Sequence, residues 1–146
     1  LYSMKPGEAR PRSEELLELF DLGEKKNHLI ESFSHGMKQR LVMSSVLLHR
    51  PKLMVVDEPM VGLDPKGARL LKDVLRRETR EQGMAILLST HTLDVADEVC
   101  DAIAVIHRGT LVAHGSAEEL RSTTGQEGQN LEEVFLQLTC ESEETS

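Results

Sequence analysis

The chain has 146 residues, a length typical of one domain that buries roughly 70% of its unfolded surface when it folds alone. Its formal net charge is −8, but residues 122–146 contain six acidic residues and no Lys or Arg. The rest of the chain is therefore nearly neutral, which argues against a nucleic-acid-binding surface. No apolar run is long enough to span a bilayer, and Cys100 and Cys140 lack the spacing of a disulfide framework or a zinc site. We expect a soluble protein with reduced thiols.

The N-terminal third contains signals for two helices. We expect "KPGEARPRS" to form a loop and "SEELLELFDLG" to form a short amphipathic helix, capped by Ser13 and ended by Gly23. In "SFSHGMKQRLVMSSVLLHRP" apolar residues recur at helical spacing. This pattern predicts a second helix that has Ser34 as its cap and ends before Pro51.

Strands and helices alternate in the central part of the chain. We predict a strand over residues 53–57 and a helix that begins with Asp64 as cap and Pro65 as first residue, runs to about residue 81 and closes at Gly83. "MAILLST" then reads as a buried strand and "TLDVADEVC" as a helix. Helices that alternate with fully apolar strands predict an α/β fold, with a largely parallel sheet flanked by helices.

The C-terminal part contains a predicted hairpin and two short helices. "AIAVIHRGTLVAHG" reads as two strands that turn at Arg108 and Gly109. "SAEELRS" is typical of a small capped helix, "TTGQEGQ" of a polar linker and "LEEVFLQLT" of an amphipathic helix, which an acidic end follows.

Two adjacent carboxylates, Asp57 and Glu58, end the first predicted strand, and His91 follows the next one. Ligands of parallel α/β sheets bind beyond the carboxyl ends of the strands, so we expect these three side chains to converge. One acid there can hold magnesium, and the second can order or deprotonate a water that attacks a phosphoryl group. The alternative is that "DEP" only ends a strand in a solvated turn, and the dipeptide alone favours that alternative.

Four segments in a fixed order are more specific than the dipeptide. They are "SFSHGMKQRL", "LMVVDEP", "GLDP" and "LLSTH". In order and spacing they resemble the signature, Walker B, D-loop and switch-histidine segments of ABC-type ATPases. The form "S-x-G-M-x-x-R" and the ending "NLEEVFLQLT" look most like ATPase subunits of bacterial multidrug, antibiotic or polysaccharide exporters. The resemblance implies a partial P-loop NTPase-like ABC ATPase fold that includes part of the helical signature subdomain.

The resemblance also assigns roles to the matching residues. It makes Asp57 the magnesium-side carboxylate, Glu58 the general base and His91 a switch that reaches the γ-phosphate of ATP. Asp64 would face a second ATPase subunit in a head-to-tail dimer. The implied cofactors are ATP and Mg²⁺.

The signature segment would act on the ATP of the opposite subunit. Ser34 and Gly36 open a helix, whose N-terminus suits a phosphate. His35 stands where the family most often has glycine, and Met37 where glutamine is usual. A side chain at His35 would crowd the phosphate, so the role rests mainly on Ser34 and Gly36. The alternative is that Ser34 is an ordinary helix cap.

No segment of the sequence matches the phosphate-binding loop G-x-x-x-x-G-K-[ST]. In "GLDPKGAR" the separation of Gly62 and Gly67 is right, but Ala68 and Arg69 replace the lysine and the hydroxyl residue. We therefore expect the C-terminal part of an ABC ATPase domain, inactive by itself. Residues 1–50 would belong to the helical signature subdomain, 51–121 to the ATPase core, and 122–146 to a polar linker, short helix and acidic tail.

The predicted function is ATP binding and hydrolysis in an ABC transporter, of the exporter type. The resemblance implies a cytoplasmic subunit, held at the inner face of the cell membrane by separate transmembrane permease subunits, without a nucleic-acid partner. Two alternatives stay open. A non-transport ABC ATPase would share these motifs, but a second cassette, a long inserted arm and a strongly basic face are not visible here. The second alternative is a truncated, non-catalytic protein that only binds a partner.

Overall fold

The computed structural model describes residue 4, residues 6–123 and residues 130–144. Two single-turn 3₁₀ helices, Gly23–Lys25 and Ile30–Ser32, lie between the first two α-helices. The helices and strands of the described residues are, in chain order, α1 Pro6–Leu19, α2 His35–Leu47, β1 Leu53–Asp57, α3 Pro65–Gln82, β2 Ala85–Ser89, α4 Leu93–Val99, β3 Ile103–His107, β4 Thr110–Gly115, α5 Ala117–Thr123 and α6 Leu131–Glu144.

These elements divide between two compact units, residues 1–89 and residues 90–146. The first unit holds α1, α2, β1, α3 and β2, and the second holds the remaining elements. The predicted α/β class is confirmed, because helices alternate with β1 and β2 and these strands pair in parallel. The predicted domain boundaries after residues 50 and 121 stay predictions.

Helix α1 begins earlier than the sequence signals predicted. It starts at Pro6 and contains Pro11, so the predicted loop over "KPGEARPRS" is wrong. Pro6 fits the first helical position, where an N–H has no partner within the helix, whereas Pro11 lies in the second turn and deprives the Gly7 carbonyl of its usual donor. Ser13 is not a cap, since its hydroxyl donates to the Ala9 carbonyl 2.7 Å away, inside the helix.

A nearly buried ion pair helps to hold this early turn in place. The guanidinium of Arg12, with 10% of its side chain exposed, lies 3.7 Å from the carboxylate of Glu78 on α3, with 6% exposed. Arg12 also contacts Glu15 at 2.8 Å, and this hydrogen bond lowers the pKa of Glu15. Because Arg12 reaches these carboxylates from a helical backbone, packing against α3 favours helix where local proline signals favoured a loop.

The end of α1 also differs from the prediction. The helix ends at Leu19, and Asp21 adopts a left-handed conformation with φ of 56°. The Leu22 N–H then donates to the Leu17 carbonyl at 2.8 Å, a bond of the kind that closes helix C-termini. Asp21 therefore takes the role that was predicted for Gly23, which instead begins a 3₁₀ turn.

Asp21 also joins α1 to the next two helices. Its carboxylate accepts from Lys66 of α3 at 2.8 Å and lies 3.7 Å from Arg40 of α2. Arg40 also donates to the Phe20 carbonyl at 2.8 Å. The hydrogen bond from Lys66 lowers the pKa of Asp21, and the positive charges of Lys66 and Arg40 lower it further.

Helices α2 and α3 begin and end where the sequence predicted. Ser34 precedes α2, Asp64 and Pro65 open α3, and Gly83 ends α3 in a left-handed conformation with φ of 65°. Glycine has no side chain to oppose this conformation, which explains why the helix stops there. The 18-residue α3 contributes much of the first unit's core, which consists of Leu16, Phe20, Leu22, Phe33, Met43, Leu47, Met54, Leu71, Val74, Leu75 and Met84.

Strands β1 and β2 form a parallel pair in a register that runs from Leu53 opposite Ala85 to Asp57 opposite Ser89. Side chains alternate between the two faces of a strand. One face packs on the core through Met54 and its neighbours. The other face leaves Leu53, Val55 and Leu87 exposed, at 59%, 68% and 63% respectively. The pair therefore presents an uncovered apolar face.

The second unit is built on the predicted hairpin, which is confirmed. Strands β3 and β4 are antiparallel and turn at Arg108 and Gly109, both with positive φ. The two predicted helices after it are α5 and α6, and both pack on β4. The predicted linker over residues 124–129 and the side chain of Cys140 lie outside the described residues. The buried core of the unit consists of Val105, Leu120, Leu131 and Val134.

Candidate active site

The two parallel strands bring Asp57 and Ser89 together at one edge of the sheet. Each is the last residue of its strand, and the two are paired in register. The Ser89 hydroxyl donates to Oδ1 of Asp57. A hydrogen bond to a carboxylate fixes its orientation. The exposed carboxylate of Asp57 is therefore held at the carboxyl end of β1.

The backbone turns away from the direction of β1 at Glu58. Its φ of 46° lies in the left-handed region, which is uncommon for a residue other than glycine. Three features hold it there: its N–H donates to the Ser89 carbonyl at 2.9 Å, its carbonyl accepts from the Val61 N–H at 3.2 Å, and Pro59 beside it is fully buried. Such backbone costs of order 1–3 kcal/mol and persists when the surroundings fix it. Glu58 is thus set at a sharp turn directly after Asp57.

The turn continues into the start of α3. The Leu63 N–H donates to the Met60 carbonyl at 3.2 Å, and Gly62 has a positive φ of 79°. Asp64 then caps α3, because its Oδ1 accepts from the Gly67 N–H at 2.9 Å. The predicted capping by Asp64 is therefore confirmed, and its role towards a partner subunit stays a prediction.

The start of α2 packs on this turn. The Ser34 hydroxyl accepts from the Met37 N–H at 3.3 Å, which confirms the predicted cap. Gly36 lies so close that a β-carbon built on it would be 3.5 Å from the Gly62 carbonyl oxygen and 3.6 Å from Leu63 Cδ2. The signature segment and the segment that carries Glu58 and Asp64 are thus in contact within the first unit.

His91 lies two residues after Ser89, in the exposed loop before α4, at the beginning of the second unit. Its predicted convergence with Asp57 and Glu58 stays a prediction. Two features of the first unit escaped sequence reasoning: the hydrogen bond from Ser89 and the contact between the signature segment and Gly62. The sequence signal for Ser89 was its place at the end of an apolar strand, in "LLSTH".

The residues at the strand ends suit magnesium chemically. A carboxylate and a hydroxyl supply oxygen ligands, and Mg²⁺ commonly uses one or two carboxylates together with waters and substrate phosphates. In the described part of the chain, no group of three or more His, Cys, Asp or Glu side chains is placed to hold a metal ion by itself. Asp57 offers one such oxygen ligand at the exposed end of β1.

Residues 3–61 match the family model for ABC transporters. Along most of its length the chain is similar to ABC transporter ATP-binding proteins. Two curated relatives illustrate the similarity. The uncharacterised ABC transporter ATP-binding protein YthP of Bacillus subtilis is 37% identical over 92% of this chain and 57% of its own length. The daunorubicin/doxorubicin resistance ATP-binding protein DrrA of Streptomyces peucetius is 38% identical over 80% of this chain and 35% of its own length.

Solved structures of the family agree with the fold. An ATP-binding subunit of an ABC transporter superposes with a TM-score of 0.84 and 34% identity, over 94% of this chain and 57% of that one. The cassette MJ0796, a dimer in a post-hydrolysis state with ADP and Pi, gives 0.68 and 26% identity, over 78% of this chain and 49% of that one. This chain thus spans at most about six-tenths of the length of these relatives.

Proposed function

We propose that these residues are part of the ATP-hydrolysing subunit of an ABC transporter that exports its substrate. One observation carries the proposal: at the end of β1, Asp57 is oriented by Ser89, and the sharp turn after it sets Glu58 beside it. Because a hydroxyl holds the Asp57 carboxylate and a backbone turn positions Glu58, the two neighbouring acids can have different roles. The relative that confers daunorubicin and doxorubicin resistance supports export as the direction of transport.

In this function Asp57 binds on the magnesium side and Glu58 acts as general base. A bound Mg²⁺ would neutralise charge on the phosphate oxygens of ATP. Glu58 would accept the proton of the attacking water, and the fixed turn would set the position of its carboxylate. His91 would reach the γ-phosphate as a switch. Phosphoryl transfer depends mainly on positioning and charge, which these residues can supply without covalent chemistry.

The same unit would serve the ATP of a second subunit. The N-terminus of α2, at Ser34 and Gly36, presents backbone N–H groups and a partial positive charge that suit a phosphate. Asp64 would face that second subunit. A head-to-tail dimer places such a segment over its neighbour's nucleotide, and the dimeric ADP and Pi complex of a relative supports this arrangement.

The phosphate-binding loop is not among these 146 residues. We propose that it lies elsewhere in a complete protein, and that this chain alone does not hydrolyse ATP. Residues 1–50 would then belong to the helical signature subdomain, 51–121 to the ATPase core and 122–146 to a polar linker, short helix and acidic tail.

Membrane attachment would come from other subunits. No helix in the described part of the chain combines the length and apolar character needed to cross a bilayer. We propose that transmembrane permease subunits hold the ATPase at the inner face of the membrane and choose the substrate.

The proposal is tested by Glu58→Gln in the complete protein. The substitution removes the base and keeps the size of the side chain, so we expect hydrolysis to fall about 10²-fold or more while ATP still binds. Glu24→Gln, at an exposed glutamate outside the site, is the matched control and should retain wild-type hydrolysis. Near wild-type hydrolysis by Glu58→Gln would place the base elsewhere.

A further inference from the structure

The imidazole of His35 lies directly against the backbone of Gly62. A β-carbon built on Gly62 would be 2.3 Å from Cδ2 and 2.4 Å from Nε2 of His35, so a side chain there would fit only if the exposed imidazole ring moved. The ring therefore occupies the space that a side chain at position 62 would fill. His35 is the first residue of α2, and Gly62 lies in the turn between β1 and α3.

Two features favour glycine at position 62. Its φ of 79° is a conformation that glycine adopts without cost, whereas other residues are strained there. The ring of His35 adds a steric constraint to this backbone constraint. The exposed peptide surface that glycine leaves is the surface on which the ring packs, so the two residues fit as a pair.

The turn beneath the ring connects two acidic residues of the candidate site, Glu58 and Asp64. Glu58 begins it and Asp64 ends it, while the N–H groups of Val61 and Leu63 each donate one backbone hydrogen bond of 3.2 Å within it. Packing against a turn limits how readily its hydrogen bonds open. His35 supplies that packing from the start of α2.

We propose that His35 is a positioning residue for ATP hydrolysis. Its ring braces the turn from Glu58 to Asp64 against the first turn of α2, so that the general base and the phosphate-facing helix start move as one body. This role rests on the proposed ATPase function. The expected crowding of the phosphate by His35 is avoided in this arrangement, because the ring lies in the space beside Gly62.

The test compares three variants of the complete protein. His35→Gly removes the ring, His35→Phe keeps a ring of similar shape, and His28→Gly makes the same change at an exposed histidine elsewhere in the first unit. The readouts are kcat and KM for ATP, and hydrogen exchange of the Val61 and Leu63 amides. The exchange measurement reports on the turn whether or not ATP is hydrolysed.

We expect His35→Gly to lower kcat about fivefold with KM nearly unchanged, since small misplacement of a catalytic group lowers the rate more than binding. The amides of Val61 and Leu63 should exchange about fivefold faster in this variant. His35→Phe and His28→Gly should resemble the wild type.

The possible failures are distinguishable. If the wild type hydrolyses ATP and His35→Gly leaves kcat unchanged, the positioning role is overturned. If His35→Phe is as impaired as His35→Gly, the packing of a ring is not what matters, and the proposal is equally overturned. If the wild type does not hydrolyse ATP at all, the proposed function fails, and faster exchange in His35→Gly would still show that the ring braces the turn.

Discussion

Removing the cap of α3 should loosen the first turn of that helix by a measurable amount. In Asp64→Ala the Gly67 N–H loses the carboxylate oxygen that accepts from it at 2.9 Å. Loss of such a cap costs about 1 kcal/mol, within a range of about 0.5–2. The negative charge at the positive end of the helix adds about 0.3–1 kcal/mol to the loss. The expected total is therefore roughly 1–2 kcal/mol.

The effect should stay local. The buried residues Leu71, Val74 and Leu75 begin two turns later and hold the rest of α3 on the core. Native-state hydrogen exchange measures such local opening residue by residue. A loss of roughly 1–2 kcal/mol corresponds to roughly 5- to 30-fold faster exchange, and we expect this at the Gly67 and Ala68 amides while the amide of Leu75 is unchanged.

Asp64→Asn separates the cap from the charge. Asparagine caps helices about as well as aspartate, so this variant should lose only the smaller, charge-dependent part. Equal acceleration in Asp64→Asn and Asp64→Ala would mean that the charge, rather than the hydrogen bond to Gly67, holds the turn. No acceleration in Asp64→Ala would refute the capping argument altogether.

Two other predictions concern acid stability and the dimer. The hydrogen bond from Lys66 lowers the pKa of Asp21 below its usual 3.8. The ionised carboxylate therefore stabilises the folded state above pH 3.8, and this stabilisation is lost as the pH falls through the lowered pKa. Asp21→Asn should weaken this acid dependence in unfolding curves, and an unchanged curve would contradict it. In mixed dimers, Ser34→Ala should impair nucleotide hydrolysis at the opposite subunit's site. Damage confined to the mutant subunit's own site would show that the head-to-tail arrangement is wrong.

Features fixed by short stretches of sequence could be predicted. The caps Ser34 and Asp64, the stop at Gly83 and the hairpin turn at Arg108 and Gly109 all depend on residues within a few positions of each other. Capping side chains and glycine conformation act locally, so a single sequence is enough to reveal them.

Features that depend on packing could not be predicted. Helix α1 extends back to Pro6 although Pro11 favours a loop, because Arg12 reaches Glu78 on a helix more than sixty residues away. The local sequence contains the proline signal, but it does not show that Arg12 contacts Glu78 in the folded structure.

The candidate site divides in the same way. The two acids were visible as neighbours at a strand end. The hydrogen bond from Ser89 to Asp57 required the register of β1 and β2, and the fit of His35 on Gly62 required the approach of α2. Register and helix approach are set by the whole core, so these contacts become visible only in the folded structure.

The last prediction concerns self-association of the 146-residue chain. Among the described residues, β2 pairs only with β1, and β3 pairs only with β4. Strands with an unpaired apolar edge readily pair with other chains. The uncovered face with Leu53, Val55 and Leu87 adds apolar surface to the first of these pairs. We therefore expect the chain to elute from size-exclusion chromatography above its monomer mass of 16.3 kDa, increasingly so at higher concentration.

Substitutions test whether self-association uses the exposed face of β1 and β2 or any exposed apolar side chain. Leu87→Thr keeps a strand-forming residue and removes apolar surface, so it should shift the chain towards monomer. Leu29→Thr, at a side chain that is 76% exposed outside the strands, is the control and should not. Calorimetry of either form should detect at most weak ATP binding, because Asp57 and Glu58 without a phosphate cradle present negative charge to a polyanion. A stable monomer that binds ATP with micromolar affinity would contradict both the expected association and the proposal that the cradle lies elsewhere.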